Sequence, residues 1–153
     1  MIRFPGFGAR VIFSKHKTWL LVASTVLVAS LLYIPRLPHT VQMGDTGEMV
    51  ANAYRLFVPH PPGYPLFTWL THFATHAIPV GTVFWRAAFL SQLFSLGTLA
   101  VLVFHLRRTP IVAFAFAMTL AVSELFWKFS ELPDVFAMNA FFAALLFILY
   151  TDP

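Results

Sequence analysis

Asp45, Glu48, Asn52 and Arg55 recur at i, i+3, i+7 and i+10 in the stretch opened by Gly44-Asp45-Thr46-Gly47-Glu48. At 3.6 residues per turn they share one helical face. Carboxylates set out this way can take a proton from a hydroxyl or coordinate a cation. Asp45 followed three residues later by Glu48 is also a capping-box-like helix start. The two roles are compatible, because backbone dipoles at a helix start keep a carboxylate ionised. Met49, Val50, Ala53, Leu56 and Phe57 form the opposite stripe, which predicts a helix lying flat on a membrane surface with its acids toward water or a cleft.

The next segment, Val58-Pro59-His60-Pro61-Pro62-Gly63-Tyr64-Pro65-Leu66, holds four prolines and one glycine. Such a run cannot continue a helix, so a stiff turn presenting His60 and Tyr64 is expected; the simpler alternative is that it only breaks a helix. Leu66 to Ile78 reads as a second interfacial helix, with Leu66, Leu70, Phe73 and Ala77 apolar and Thr68, His72, Thr75 and His76 polar. His72 and His76 at i, i+4 could share a metal, but HExxH is absent and no third ligand is identifiable. Arg86 and Glu124 fall inside apolar runs, where an ionisable group calls for a partner or a function. Pairing of Glu124 with Lys128 and snorkelling of Arg86 to headgroups stand against a shared cleft with Asp45, Glu48 and His60. Glu131 and Asp134 add acids to the same side.

The elements that must carry these residues are membrane helices. Of the 153 residues 59% are hydrophobic and only 10% charged, against about 25% charged in soluble domains; mean hydropathy is +0.77. The 18 Phe outnumber the ten Lys and Arg together. With no cysteine, disulfides, thiolate metal sites and a cysteine nucleophile are excluded. A net charge of +4 without a basic stripe argues against nucleic acid.

Spans of about 20 apolar residues are needed to cross a bilayer. Four runs are expected to do so, 18–34, 84–106, 110–127 and 135–150, with 1–17 cytoplasmic and 35–83 an outer loop carrying two interfacial helices. The expected fold is therefore an all-α polytopic membrane bundle forming a single domain, 1–153. Trp19, Tyr33, Trp85, Trp127 and Tyr150 mark the ends as an aromatic belt would. Arg3, Arg10, Lys15 and Lys17 before the first run, with Arg107 and Arg108 after the second, orient the N-terminus to the cytoplasm. Five of the six acids in the chain then fall at or near the outer face. The first run exceeds a signal-peptide core and lacks a small-residue cleavage site, so it reads as an uncleaved anchor.

Asp45-Thr46-Gly47-Glu48, His60 to Pro65 as His-Pro-Pro-Gly-Tyr-Pro, and Trp85-Arg86 with the later Ser91 resemble, in order and spacing, the protein O-mannosyltransferase-like family of polytopic membrane proteins, of the GT-C class of glycosyltransferases. The resemblance runs from about Asp45 to Asn139. Ala88 stands where members typically carry Asn, and Asp134-Val135-Phe136-Ala137-Met138-Asn139 stands for Glu-x-Tyr-Ala-Leu-Asn; Asp keeps the charge with a shorter reach. Members typically have about ten or more spans, so the chain is expected to be a fragment or truncated form of a larger glycosyltransferase.

The resemblance implies a mannose-like sugar carried on a polyprenyl phosphate, transferred to a protein or glycan hydroxyl at the extracytoplasmic face. The membrane would be the plasma (inner) membrane in a bacterium or that of the endoplasmic reticulum in a eukaryote. On that reading Asp45 is a general base, or positions the acceptor through a divalent cation, and Glu48 assists. Arg86, with His60, meets the departing phosphate, while Tyr64, Asp134 and Asn139 bind substrate. No metal set is identifiable. The alternative is a non-catalytic membrane subunit or remnant binding lipid-linked sugar or partner helices, for which Ser95-Leu96-Gly97-Thr98-Leu99-Ala100 could seat a neighbour. A transporter is less well supported, with no inverted repeat visible.

Overall fold

The computed structural model describes residues 15–42 and 44–151. Arg3 and Arg10 of the orientation expectation, and the chain's final two residues, lie outside the described residues. The architecture is all-α, with seven α-helices and no strand among the described residues: α1 (Lys15–Tyr33), followed by a 3-10 turn (Ile34–Arg36), α2 (Thr46–Arg55), α3 (Pro65–Ala77), α4 (Val83–His105), α5 (Pro110–Ala121), α6 (Glu124–Glu131) and α7 (Val135–Thr151). It is a membrane helix bundle. Among the described residues two stretches are long and apolar enough to cross a bilayer, His16–Arg36 and Val83–His105, and a third is available if α5 and α6 count as one broken span. Helix α7 is apolar but shorter.

Helix α4 is the central post, packed against each of the other six α-helices. Its buried side chains include Ala87, Ala88, Ser91, Ser95 and Thr98. Small and hydroxylated residues let helices approach where lipid supplies no hydrophobic drive between them. Thr98 Oγ1 returns its proton to the Phe94 carbonyl at 3.0 Å, while both ends of the fully buried Gln92 amide lack a partner. The stripe around Gly97 seats α7 of the same chain, the Phe141 ring lying against it.

Ala113, Ala117 and Ala121 of α5 are fully buried with Ala29 and Tyr33 of α1 and Leu99 and Val103 of α4. Tyr33 Oη donates to the Ala121 carbonyl at 2.6 Å, in the last turn of α5. The apolar run 110–127 is not one straight helix. It stops at Ala121, and α6 departs at 68°. Ser123 Oγ donates to the Leu120 carbonyl at 2.7 Å, competing with helix continuation at the break.

The segment between α1 and α4 holds two short helices, as expected, but their faces differ from the expectation. Met49, Val50 and Ala53 of α2 are buried in protein rather than laid on a membrane surface, Met49 against Phe67 of α3 and Val135 and Met138 of α7, Val50 against Phe84 and Ala87 of α4. In α3 the hydroxyl side turns inward: Thr68, Thr71 and Thr75 are buried, while Leu66, Trp69 and Phe73 are exposed. An exposed apolar face is what a helix beside lipid presents.

Candidate functional site

Helix α2 opens at Asp45, whose carbonyl accepts the Met49 N–H at 2.9 Å. The expected reciprocal capping box does not form. The Asp45 side chain makes no cap hydrogen bond, because its backbone is already helical (φ −80°, ψ −1°), whereas a capping residue needs an extended backbone to reach the following N–H groups. Both acids are thereby left available to the turn that follows.

Helix α2 ends where Leu56 takes the left-handed conformation at φ 55° and the Phe57 N–H returns to the Asn52 carbonyl at 2.8 Å. The proline segment then folds back across the first turn of α2. Gly63 closes this reversal with its N–H on the His60 carbonyl at 3.0 Å. Its φ of 85°, with Val58 Cγ1 at 3.1 Å from where a Cβ would stand, demands glycine there. Tyr64, itself at φ 40°, leads into Pro65 at the start of α3.

The reversal brings His60 between the two acids. Glu48 Oε1 accepts the His60 backbone N–H at 2.8 Å, and Glu48 Oε2 lies 3.3 Å from His60 Nδ1. Asp45 Oδ2 stands 4.0 Å from His60 Nε2. Asn52 Nδ2 donates to Glu48 Oε1 at 3.4 Å, so the expected polar face of α2 is occupied through Asn52. The Tyr64 ring meets the His60 ring edge-on, centroids 6.0 Å apart. The Glu48 carboxyl is held below its ordinary value first by the His60 backbone N–H and further by the imidazole. Glu48 is thus the anchored anion and Asp45, with its side chain 72% exposed and His60 at 4.0 Å, the more loosely held one.

A further carboxylate arrives from the α6–α7 connection. Asp134 Oδ1 accepts the Val135 N–H at 2.6 Å, and its carbonyl accepts from Ser91 Oγ of α4 at 3.4 Å. Burial pushes its carboxyl up, the Val135 N–H pulls it back down, the charge of Asp45 raises it and that of His60 lowers it. Asp134 thus lies within electrostatic reach of Asp45 and His60, where Met49 of α2 packs on Val135 and Met138 at the start of α7. Below them, Met49, Phe67, Val135 and Met138 form an apolar floor, with Tyr64 packed on it.

The other expected residues have different surroundings. Arg86 donates from Nη1 to the Thr75 carbonyl at 2.8 Å and from Nε to the Val80 carbonyl at 3.1 Å, tying the end of α3 to the start of α4. Asn139 is exposed on α7. Glu124 and Lys128 form no ion pair; among the described residues the ion pairs within 4.0 Å are those of His60. His72 Nδ1 faces the Ala53 and Tyr54 carbonyls, each at 3.1 Å, and His76 Nδ1 faces the His72 carbonyl at 2.8 Å. Among the described residues no three His, Asp or Glu side chains are disposed to hold a metal. Hard oxygen donors are present, but as placed they do not form a cation cage.

Sequence reasoning missed the anchoring of Glu48 by the His60 backbone, twelve residues away. The only signal for it was the stiffness of the proline run. It also missed the floor of Met49, Val135 and Met138, since helical period marks a buried face without naming what covers it.

The model of the family described as protein O-mannosyl-transferase TMEM260 N-terminal domain matches residues 45–152. Among curated proteins, "Protein O-mannosyl-transferase TMEM260" of Mus musculus is 36% identical over 116 residues, covering 74% of this chain and 16% of the relative. "Protein O-mannosyl-transferase tmem260" of Dictyostelium discoideum is 33% identical over 137 residues, covering 85% of this chain and 16% of the relative. No solved structure matches. The chain thus spans about a sixth of the length of these curated relatives. The matched region opens at the acid whose geometry is described above and includes His60, Arg86 and Asp134, and the chain belongs to the TMEM260 family of protein O-mannosyl-transferases, corresponding to its N-terminal domain.

Proposed function

We propose that this chain forms the acceptor-activating part of a membrane glycosyltransferase that moves a mannose-like sugar from a polyprenyl-phosphate donor to a hydroxyl, at the extracytoplasmic face. The observation that carries the reading is the placing of His60 by the proline turn between two carboxylates, 4.0 Å from Asp45 and 3.3 Å from Glu48. Asp45, exposed and with no side-chain cap hydrogen bond, takes the proton of the acceptor hydroxyl as the hydroxyl oxygen attacks the sugar carbon. The bond from that carbon to the phosphate oxygen breaks, and the phosphate leaves with the electron pair. Glu48 holds His60 in place, and His60, 4.0 Å from Asp45, adds positive charge beside the new anion when protonated.

Arg86 is the candidate for the leaving phosphate. Two of its five N–H donors are held by carbonyls, which fixes the guanidinium and leaves the remainder for an anion. Such preorganised donors act where charge develops in the transition state. The sidedness is supported by Arg107 and Arg108 following the C-terminal end of α4, whereas Asp134 joins α4 at Ser91, in its N-terminal half. Basic residues mark the cytoplasmic side.

A transfer assay on membranes holding the longest expressed form, with polyprenyl-phosphate mannose and a Ser/Thr peptide, tests the roles. Asp45→Asn and Arg86→Ala should each lower the rate by at least about a hundredfold, in line with loss of a general base or of a transition-state donor; wild-type rates in both reject the roles. A second reading, a non-catalytic subunit, draws on outward apolar residues such as Ile111 on α5 and Leu146 and Leu149 on α7, 84%, 65% and 66% exposed. Transfer abolished by Asp45→Asn while partner helices stay bound would decide against it.

A further inference from the structure

Glu48 clasps a single residue at two points. Its Oε1 accepts the His60 backbone N–H at 2.8 Å, and its Oε2 lies 3.3 Å from Nδ1 of the same residue's ring. An ionised carboxylate is an acceptor only, and the Glu48 carboxyl is held below its ordinary value, first by that backbone N–H. The ring nitrogen facing it is therefore the donor. In neutral His60 the proton sits on Nδ1 and the lone pair on Nε2, because the partner of one ring nitrogen sets the state of the other.

The lone-pair nitrogen is the one beside Asp45. Nε2 stands 4.0 Å from Asp45 Oδ2, beyond hydrogen-bond length, and both atoms are acceptors until a proton arrives. The Asp45 side chain is 72% exposed and makes no cap hydrogen bond, so its rotation can close the gap, as catalytic contacts commonly tighten once substrate is bound. Around the same imidazole stand the Tyr64 ring, edge-on at 6.0 Å, and Asp134, within reach of its charge. A carboxylic acid is ordinarily a stronger acid than an imidazolium, so a proton on Asp45 runs downhill to Nε2. The imidazolium so formed lies between two carboxylates, which favour its charged form.

We propose that His60 Nε2 is where the proton of the reaction comes to rest, with Glu48 as the positioning residue that keeps this nitrogen unprotonated until then. The acceptor oxygen keeps the O–H electron pair and forms the bond to the sugar carbon. Its proton goes to Asp45 and on to Nε2, Asp45 returns to a carboxylate, and the imidazolium, its side chain 37% exposed, later releases the proton to bulk water. The relay rests on the transferase reading above and adds to it the path of the proton.

Nitrogen-15 imidazole NMR on this chain in lipid nanodiscs at alkaline pH, with His60→Gln to identify the signals, reads the tautomer without turnover. Wild-type His60 should be protonated on Nδ1. Glu48→Gln should move that proton to Nε2, since the new amide oxygen keeps the backbone N–H and the amide NH2 then faces Nδ1 as a donor. In the transfer assay on the longest expressed form, Glu48→Gln and His60→Gln should each lower kcat by about a hundredfold, with the donor KM nearly unchanged. Either tautomer protonates to the same imidazolium, so a His60 acting only through its charge would keep its rate in Glu48→Gln. His60→Gln leaves the backbone tie to Glu48 in place and serves if Glu48→Gln fails to fold. Wild-type His60 protonated on Nε2, a proton that stays on Nδ1 in Glu48→Gln, or a kcat near wild type in His60→Gln overturns the relay. Asp45→Asn separates the two readings: a wild-type rate there rejects the transferase roles and the relay with them, whereas loss of rate there with an unaltered rate in His60→Gln rejects the relay alone.

Discussion

Gly97→Ala puts the packing of α7 on α4 to a numerical test. A methyl group on Gly97 would stand 2.9 and 3.0 Å from two carbons of the Phe141 ring. Ordinary contact begins near 3.4 Å, so the ring or the helix must retreat by about 0.5 Å in a close-packed interior. The ring is not free to swing, since it packs against Phe94 at 5.7 Å and Phe142 at 5.6 Å. Overpacking of this kind costs roughly 1–3 kcal/mol, while replacing a helical glycine with alanine returns roughly 0.5–1 kcal/mol. The steric effect wins, leaving a net loss of about 1 kcal/mol. For a chain of this size that lowers the midpoint of thermal unfolding by about 2–4 °C, read by tryptophan emission in detergent. In a Phe141→Leu background the clash is gone and the same substitution should be neutral or stabilising, a coupling that a double-mutant cycle measures. A higher midpoint for Gly97→Ala alone, or an equal loss in both backgrounds, refutes the reasoning.

The remaining predictions concern the site. Glu48→Ala should speed hydrogen exchange at the His60 amide. In the wild type, whose Glu48 carboxyl lies below its ordinary value of 4.5, the tie is complete above that value and is lost only as pH falls through the lower folded one. Protection that declines already between about pH 7 and 5, after correction for intrinsic rates, contradicts this. Asp134 has the opposite sign. Burial raises its carboxyl above the ordinary 3.8, so the wild type loses stability as pH rises from that value through the folded pKa; Asp134→Asn, which keeps an oxygen for the Val135 N–H, should show a higher unfolding midpoint than wild type at pH 7, and an equal or lower midpoint refutes it. Arg86→Lys cannot span both the Thr75 and Val80 carbonyls with a fork and should lose about 1–2 kcal/mol of stability, measured by the same unfolding; no loss removes the strut between α3 and α4.

Much of the site was readable because its parts are local. The proline run announces a turn that presents His60 and Tyr64, and Gly63 is required by its own backbone. The acid pair at the start of α2 was visible for the same reason, yet its partnership was misassigned: spacing alone suggests a capping box, and the helical backbone of Asp45 together with the nearby His60 N–H redirects Glu48. Arg86 was legible as an ionisable group needing partners, but those partners are backbone carbonyls, which have no sequence signature.

Composition and the lengths of apolar runs suffice for an all-α membrane bundle, since a chain with 10% charged residues has no polar surface with which to face water on all sides. They do not decide which face of a helix is covered. Met49, Val50 and Ala53 of the expected α2 stripe are covered by protein while Leu56 and Phe57 stay exposed, and the threonines of α3 point inward, because an apolar solvent removes the rule that hydrophobic faces turn toward protein. The meeting of Asp134 with α4 at Ser91, 43 residues apart in sequence, follows from helix packing around α4. Such contacts depend on which ridges and small residues interlock, a property of the assembled bundle that no local period carries.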